Sequence, residues 1–346
     1  MLVVRIELHR KLGETKVKTK EKLIEQVQRL LEERSQKSLE IAKKEILQEK
    51  RECKEINDAF MYYVKNWNDV VHPGLISIAC EAAGGSVDKA IPIQVVMLLL
   101  TAALDIHDDI IDESKTKYGK PTVFGRFGKD ISLLVGDAFL MKALILLHKL
   151  EKQFSTEKMN AIWNIINSRF FELGDAEALE ASLKGNIDIS PEECFKILKM
   201  KASTFEAHMR IGAIIGGGEQ DIVDLIGNYG RGLGILVSIR EDFIDVFEPE
   251  ELKNRVRNEC LPLPILYAFK NPQTKKIILD YLSKREISDK DAERIVDIIF
   301  EEENVEMFRN EVERLAEEVC NSISSIPNKN LVSQMEVLIK SVIEDL

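Results

Sequence analysis

Two pairs of carboxylates have the type and spacing to do chemistry. In HDDIIDE (107–113) Asp108 and Asp112 are four residues apart, and in IREDFIDVFE (239–248) so are Glu241 and Asp245. On a helix that spacing puts two side chains one turn apart on the same face, whereas Asp109 and Asp242 turn away by about 100°. Oxygens so placed suit Mg²⁺, which takes carboxylate ligands and keeps other positions for water or a substrate phosphate. Each pair also ends an apolar stretch, IPIQVVMLLLTAALDI before the first and GLGILVS before the second. Like charges at the end of a buried helix are costly unless a cation neutralises them. The expectation is two acidic helix ends facing each other across one cavity and sharing several Mg²⁺ ions. For either cluster alone, a salt-bridged helix end is the plain alternative.

The elements that must position these groups read as helices. From Thr19 to about Asn66 the chain is charged, with Leu23, Val27, Leu30 and Leu31 at helical spacing, an amphipathic N-terminal segment (1–66) packed on a core (67–346) within one domain. The stretches 131–150, 161–182, 192–217, 220–247, 260–270 and the tail from about Asp289 also read as helices. Pro92 is placed at a tolerated first-turn position, and Ser288 to Asp291 has the pattern of a capping box. No strand series and no internal repeat is evident, so the fold class is all-α, with roughly ten helices, many of them interior.

Composition narrows the function. A net charge of −11 argues against nucleic acid as the main partner, so an anionic substrate would be met through metal ions or a local basic pocket. The five cysteines are scattered, without a C-x-x-C spacing, which fits a reducing, cytoplasmic setting and neither a disulfide framework nor a zinc site. MLVVRIELHRK lacks the pattern of a signal peptide, and the charge-free apolar run Ala90–Leu104 is shorter than the ~20 residues that span a bilayer, so no transmembrane segment is expected. His9, His148 and His208 are isolated and read as surface or packed residues; His107 adjoins the acids as a donor to one of them. Trp67 and Trp163 read as packing residues.

DDIIDE followed by GKPT (119–122), then LLVGDAFL (133–140), KMKAS (199–203), YGRGLGILVSIREDFID (229–245) and LPLPILYAF (261–269), in that order, resemble the trans-isoprenyl diphosphate synthases. This is the polyprenyl synthetase family of class I isoprenoid enzymes, and the likeness spans about 60–290. It implies a class I isoprenoid synthase bundle around a central apolar cavity, usually a homodimer, with a heteromer open. It implies an Mg²⁺-dependent prenyltransferase that ionises an allylic prenyl diphosphate and passes the prenyl group, by default, to isopentenyl diphosphate. By the same resemblance Asp108, Asp112 and Lys201 are the catalytic candidates. Asp108, Asp109, Asp112, Glu241, Asp242 and Asp245 are the metal candidates, and Lys117, Lys120 and Lys201 would meet substrate. Ala103 and Leu104 occupy positions that help set product length; neither is aromatic, so a long chain could fit.

The resemblance breaks around the second diphosphate site. Where the family has the basic G-G-K-R-x-R-P, this chain reads W-N-D-V-V-H-P (67–73), so Asp69, Val70 and His72 stand in place of lysine and arginines. Lys117 and Tyr118 replace two arginines, Thr101 a histidine, and Ser238 a glutamine. Each charge-assisted contact to a diphosphate contributes roughly 1.5–3 kcal/mol, so losing several would weaken binding by orders of magnitude. Asp105, one turn before Asp108, adds an acid that reads either as a buried, hydrogen-bonded group or as a catalytic one. Four readings follow: a synthase whose second site is rebuilt from Lys115, Lys120 or Arg126; transfer to an acceptor without a diphosphate; a cyclase or diphosphate lyase; or a non-catalytic prenyl-diphosphate-binding or regulatory subunit of a heteromer.

Overall fold

The computed structural model describes residues 14–117, 119–284 and 287–344; His9 and Tyr118 lie outside them. The N-terminal half comprises α1 (Glu14–Leu47), α2 (Lys54–Asn66), α3 (Val71–Ala82), α4 (Val87–Ile111), α5 (Val123–Leu150) and α6 (Thr156–Ser182). Then follow α7 (Pro191–Lys201), α8 (Ser203–Gly216), α9 (Gln220–Val246), α10 (Pro249–Asn258) and α11 (Leu263–Ala268). The chain closes with α12 (Pro272–Leu282), α13 (Asp289–Ile299), α14 (Glu302–Ser322) and α15 (Lys329–Ile343). Between α4 and α5 a short antiparallel hairpin, β1 (Thr116–Lys117) with β2 (Lys120–Pro121), is a feature too brief for periodicity to reveal.

The all-α expectation holds, but the helices are more numerous and shorter than the apolar periodicity suggested. The stretch 192–217 divides at Ala202 into α7 and α8, and the front segment divides between Leu47 and Lys54 into α1 and α2. The Ser288 capping box is present, its hydroxyl accepting from the Asp291 amide, and Ser190 with Glu193 forms another at α7. Pro92 sits in the interior of α4, whose first residue is Val87, and not in its first turn. The missing N–H there removes a single hydrogen bond near the helix start, a cost that burial of the helix on several sides offsets.

Two apolar clusters hold the bundle. One joins α1, α2, α4, α5 and the start of α6 around Phe60, Leu98, Leu99, Ile106 and Phe139. The other joins α7 to α15 around Tyr229, Leu236, Phe243 and Ile265, with α3 and α8 between the two. α4 packs most extensively on α5, α9 on α8, and α3 on α8. The last contact is close because a Cβ at Gly212 would stand 2.4 Å from the Ile76 carbonyl oxygen, a distance only glycine permits. By length and composition α4, α5 and α9 would each be long and apolar enough to cross a membrane, contrary to the reading of Ala90–Leu104 alone. The bundle buries 72% of the apolar window of α4 and 61% of that of α9, but only 39% of that of α5.

Candidate active site

The acidic ends of α4 and α9 converge. Asp112 caps α4, and its carbonyl accepts a hydrogen bond from Asn254 Nδ2 (3.4 Å) on α10, the helix that follows the second acidic motif. Arg255 on the same helix reaches back to α9, donating to Asp242 Oδ1 (2.6 Å) and Asp245 Oδ2 (2.9 Å) and pairing with Glu259 (3.0 Å). On the hairpin, Lys117 pairs with Asp109 (2.8 Å) and lies 3.7 Å from Asp108 Oδ2. Its charge is felt by Glu241 across the cleft, so one cation links the two motifs electrostatically.

Within each motif the residues divide as the helix angle requires. Asp109 is buried on the Lys117 ammonium. Asp242 is buried too, its second oxygen accepting from the backbone amide of Leu263 (3.0 Å) and so fixing the start of α11. Both oxygens of Asp242 are therefore engaged within the protein, which makes it an anchor between α9, α10 and the start of α11. Glu241, by contrast, is open to solvent although protein surrounds it on several sides, and Asp105 is placed in the same way. Both line a cleft; the reading of Asp105 as a buried acid is corrected by this exposure. His107, expected to serve its neighbouring acids, faces α5 instead, its Nε2 3.3 Å from Asp137 Oδ1.

Lys201, the last residue of α7, is held between Glu177 (3.2 Å) and Glu180 of α6 in a closer pair. Those two glutamates were not singled out in the sequence, and neither were Glu251, Arg255 and Glu259. E-x-x-E on a charged helix looks like ordinary surface, and only the packing of α6 against α7 turns it inward. The electrostatics show crowding. Burial, together with Asp108 and Glu259, pushes Asp112 up to about 9. Burial with Asp108 and Glu180 pushes Glu177 up to about 7 against the pull of Lys201. Burial and the acids Asp245 and Glu259 push Glu251 to about 7. Lys201 and Lys117 are held protonated, their pKa values raised in spite of burial well above the usual lysine range, by Glu180, Glu177 and Asp108 for the first and by Asp108, Asp109 and Asp105 for the second.

Asp108 Oδ1 is buried and has no hydrogen-bond partner among the described residues. An orphaned carboxylate oxygen amid acids that resist ionisation has the chemistry to hold a divalent cation. Among the described residues no three His, Cys, Asp or Glu side chains group closely enough to hold a metal ion by themselves. Mg²⁺ bound here would be held by one or two carboxylates, with substrate phosphates and water completing its shell.

The second-site residues form a different structure. Asp69 precedes α3 and accepts from the amides of Val71 (3.1 Å) and His72 (3.2 Å), and its other oxygen bonds His72 Nδ1 (2.8 Å). Burial would lower the His72 pKa, but the Asp69 carboxylate outweighs it and raises the value to about 9, so the pair is an ion pair at neutral pH. The His72 ring lies 4.8 Å from that of His208 on α8. The Thr204 carbonyl, 2.6 Å from His208 Nδ1, can only accept, so Nδ1 carries the proton and Nε2 accepts from Thr101 Oγ1 (3.3 Å). Burial and the nearby His72 charge push His208 down to about 3, keeping it neutral. Lys120 is exposed on β2, and the exposed Arg126 stacks on the Tyr62 ring (4.4 Å).

Below this, Met97, Leu100 and Leu104 of α4 face Ile166, Phe170 and Leu173 of α6 across a crevice of about 40 Å³, closed at one side by Thr101 and His208. Leu104 lines it, while Ala103 is buried in the α4 core. The expected deep cavity is thus a narrow one here, against about 300–1,000 Å³ for usual ligand pockets.

A helical bundle with paired acidic helix ends over an apolar crevice defines a class I isoprenoid synthase fold. Among solved structures it resembles a geranylgeranyl pyrophosphate synthetase from Pyrococcus horikoshii (TM-score 0.79, 21% identity, 91% of this chain and 98% of that one). It also resembles a polyprenyl synthase from Caulobacter crescentus complexed with calcium and isoprenyl diphosphate (TM-score 0.74, 19% identity, 95% and 96% covered). The polyprenyl synthetase profile matches residues 53–299, and the chain belongs to that family. It is 25% identical over 290 residues to a geranylgeranyl diphosphate synthase of Methanosarcina mazei, covering 81% of this chain and 88% of the relative. It is 30% identical over 210 residues to a chloroplastic heterodimeric geranylgeranyl pyrophosphate synthase large subunit of Arabidopsis thaliana, covering 57% and 55%. The protein is therefore a prenyltransferase of this family.

Proposed function

We propose that this chain ionises an allylic prenyl diphosphate at the facing ends of α4 and α9 and transfers the prenyl group. The observation that carries this is the orphaned Asp108 oxygen within a crowd of buried carboxylates that the protein's own cations leave under-neutralised. Asp108 and Asp112 on one side, with Glu241 and Asp245 on the other, would hold Mg²⁺. When bound, the ions supply Lewis-acid stabilisation of the negative charge that develops on the departing diphosphate.

The remaining work falls to the chain's own residues. Lys201 exchanges part of its pairing with Glu177 and Glu180 for the diphosphate, and Lys117 approaches from the hairpin. Arg255 fixes Asp242 and Asp245, and so the angle at which α9 presents its acids. Leu100, Leu104 and Phe170 receive the hydrocarbon and exclude water from the cation, the crevice widening as these side chains turn aside. Family membership makes isopentenyl diphosphate the acceptor to try first.

The exposed apolar residues Leu134, Met141 and Ile145 on one face of α5, with Phe171 on α6, support association with a second copy or a related subunit. A light-scattering mass of one chain would remove that part. The cysteines, all free, suit a cytoplasmic setting. The main test is turnover of the full-length protein with Mg²⁺ and geranyl, farnesyl or longer allylic diphosphates. Diphosphate release that stops on chelation is expected; tight binding without release would support a non-catalytic subunit instead.

A further inference from the structure

One turn before Asp108 on α4, the cleft changes character. Asp105 follows Thr101 by one turn on the same face of α4, Thr101 bonds His208 (3.3 Å), and the His208 ring lies 4.8 Å from that of His72, which Asp69 holds at the start of α3. The largest charges acting on His72 are three carboxylates, those of Asp69, Asp105 and Glu241. The imidazolium is itself held by Asp69 at 2.8 Å. The principal cation acting on Asp105 is Lys117, whose ammonium is bonded to Asp109 at 2.8 Å. Lys115, Lys120 and Arg126, the residues from which a basic site might be rebuilt, are exposed, and Arg126 is stacked on Tyr62.

We infer that the prenyl acceptor of this chain is an uncharged or cationic nucleophile bearing an O–H or N–H group, an alcohol or an amine, seated against Asp105 and the Asp69–His72 pair and not a second diphosphate. This deepens the reading of an allylic-diphosphate-ionising site and rests on it. A diphosphate placed here would bring at least two negative charges against the Asp105 carboxylate, while the cations that act on Asp105, Lys117 and His72, are already paired with Asp109 and Asp69, so the like-charge contact is left uncompensated. An alcohol or amine instead donates to carboxylate oxygens, and such charge-assisted hydrogen bonds are among the stronger ones. Thr101 and His208 add a neutral, polar floor in which the hydroxyl donates to Nε2, so neither contributes a cation.

The step balances without an oxidant or reductant. The allylic C1–O bond breaks and its electron pair leaves on diphosphate. A lone pair of the acceptor's hydroxyl oxygen, or of its amine nitrogen once an ammonium has given one proton to solvent, forms the new bond to C1. The proton lost from that atom passes to the Asp105 carboxylate and on to solvent.

The test uses full-length protein with Mg²⁺ and farnesyl diphosphate, offering ethanolamine, phosphoethanolamine or isopentenyl diphosphate at equal concentration, with diphosphate release and products followed by mass spectrometry. The expected result is a farnesyl–ethanolamine adduct at least tenfold more abundant than phosphoethanolamine adduct or chain-extended product. Asp69→Lys combined with His72→Arg should shift the ethanolamine-to-isopentenyl ratio at least tenfold toward isopentenyl diphosphate. If that pair fails to fold, the near-isosteric Asp105→Asn should shift the same ratio at least threefold in the same direction. Chain extension by the wild type as fast as diphosphate is released overturns the inference while leaving the donor reading intact, and farnesol as the only product does the same. Absence of diphosphate release overturns both.

Discussion

Around the end of α4 the carboxylates of Asp108, Asp112, Glu177, Glu180 and Glu259 outnumber the cations that reach them, Lys201, Lys117 and Arg255, and Asp108 Oδ1 has no hydrogen-bond partner among the described residues. At the start of α3, Asp69 and His72 neutralise each other at 2.8 Å, and His208 is kept uncharged between Thr101 and Thr204. The first region is electrostatically incomplete and the second is nearly complete. A site that must take up metal ions with a diphosphate is expected to carry charge that the folded chain alone does not balance. A site that is already balanced has little to gain from an anion. The contrast locates the donor half of the reaction by its deficit and sets the acceptor half apart by its closure.

The comparison can be broken at several points. The largest effect is expected from Asp108→Ala, which removes the orphaned ligand: diphosphate release should fall at least about 10²-fold, because an interaction that grows as the leaving group gains charge is lost. Full activity in that variant would remove Asp108 from the site.

Next comes Arg255→Ala, which leaves Asp242, Asp245 and Glu259 without their shared partner. Breaking a buried ion pair from one side costs about 3–5 kcal/mol, so the urea midpoint should drop correspondingly. An unchanged midpoint would mean that Arg255 does not brace α9.

A smaller effect is expected at the closed region and depends on pH. His72 is raised from 6.5 to about 9, so its contribution is fully present below about 6.5 and is lost as pH rises through about 9. Wild type should exceed His72→Asn in stability by on the order of 1–3 kcal/mol near pH 6, the gap narrowing by pH 10. The groups facing His72 are Asp69, Asp105, Glu241 and His208, and only Asp69 is bonded to it. A gap that is constant across that range would show that the pair is not ionic.

Much of the donor half was legible because its signals are local. Asp108 with Asp112, and Glu241 with Asp245, share faces by helical spacing, and long apolar runs before each pair predicted interior helices that α4 and α9 supply. What was not legible depends on contacts distant in sequence. Glu180 meets Lys201 across 21 positions and Asn254 meets the Asp112 carbonyl across 142, and neither has a pattern that distinguishes it from solvated surface. The division at Ala202 was hidden because α7 and α8 keep their apolar residues in nearly continuous helical phase. Asp69 and His72 were visible only as departures from a basic motif. Their bond is a local i,i+3 contact at the start of α3, but its approach to His208 required the packing of α3 against α8.

Calorimetric titration of inorganic diphosphate into the wild-type protein, with and without Mg²⁺, addresses the donor site without reference to any acceptor. The account predicts binding that requires Mg²⁺ and is weakened at least about tenfold by Asp108→Ala and by Asp245→Ala separately, since each lies on one of the two helix ends that face the ligand. Binding of equal strength after chelation, or indifference to either substitution, would contradict it.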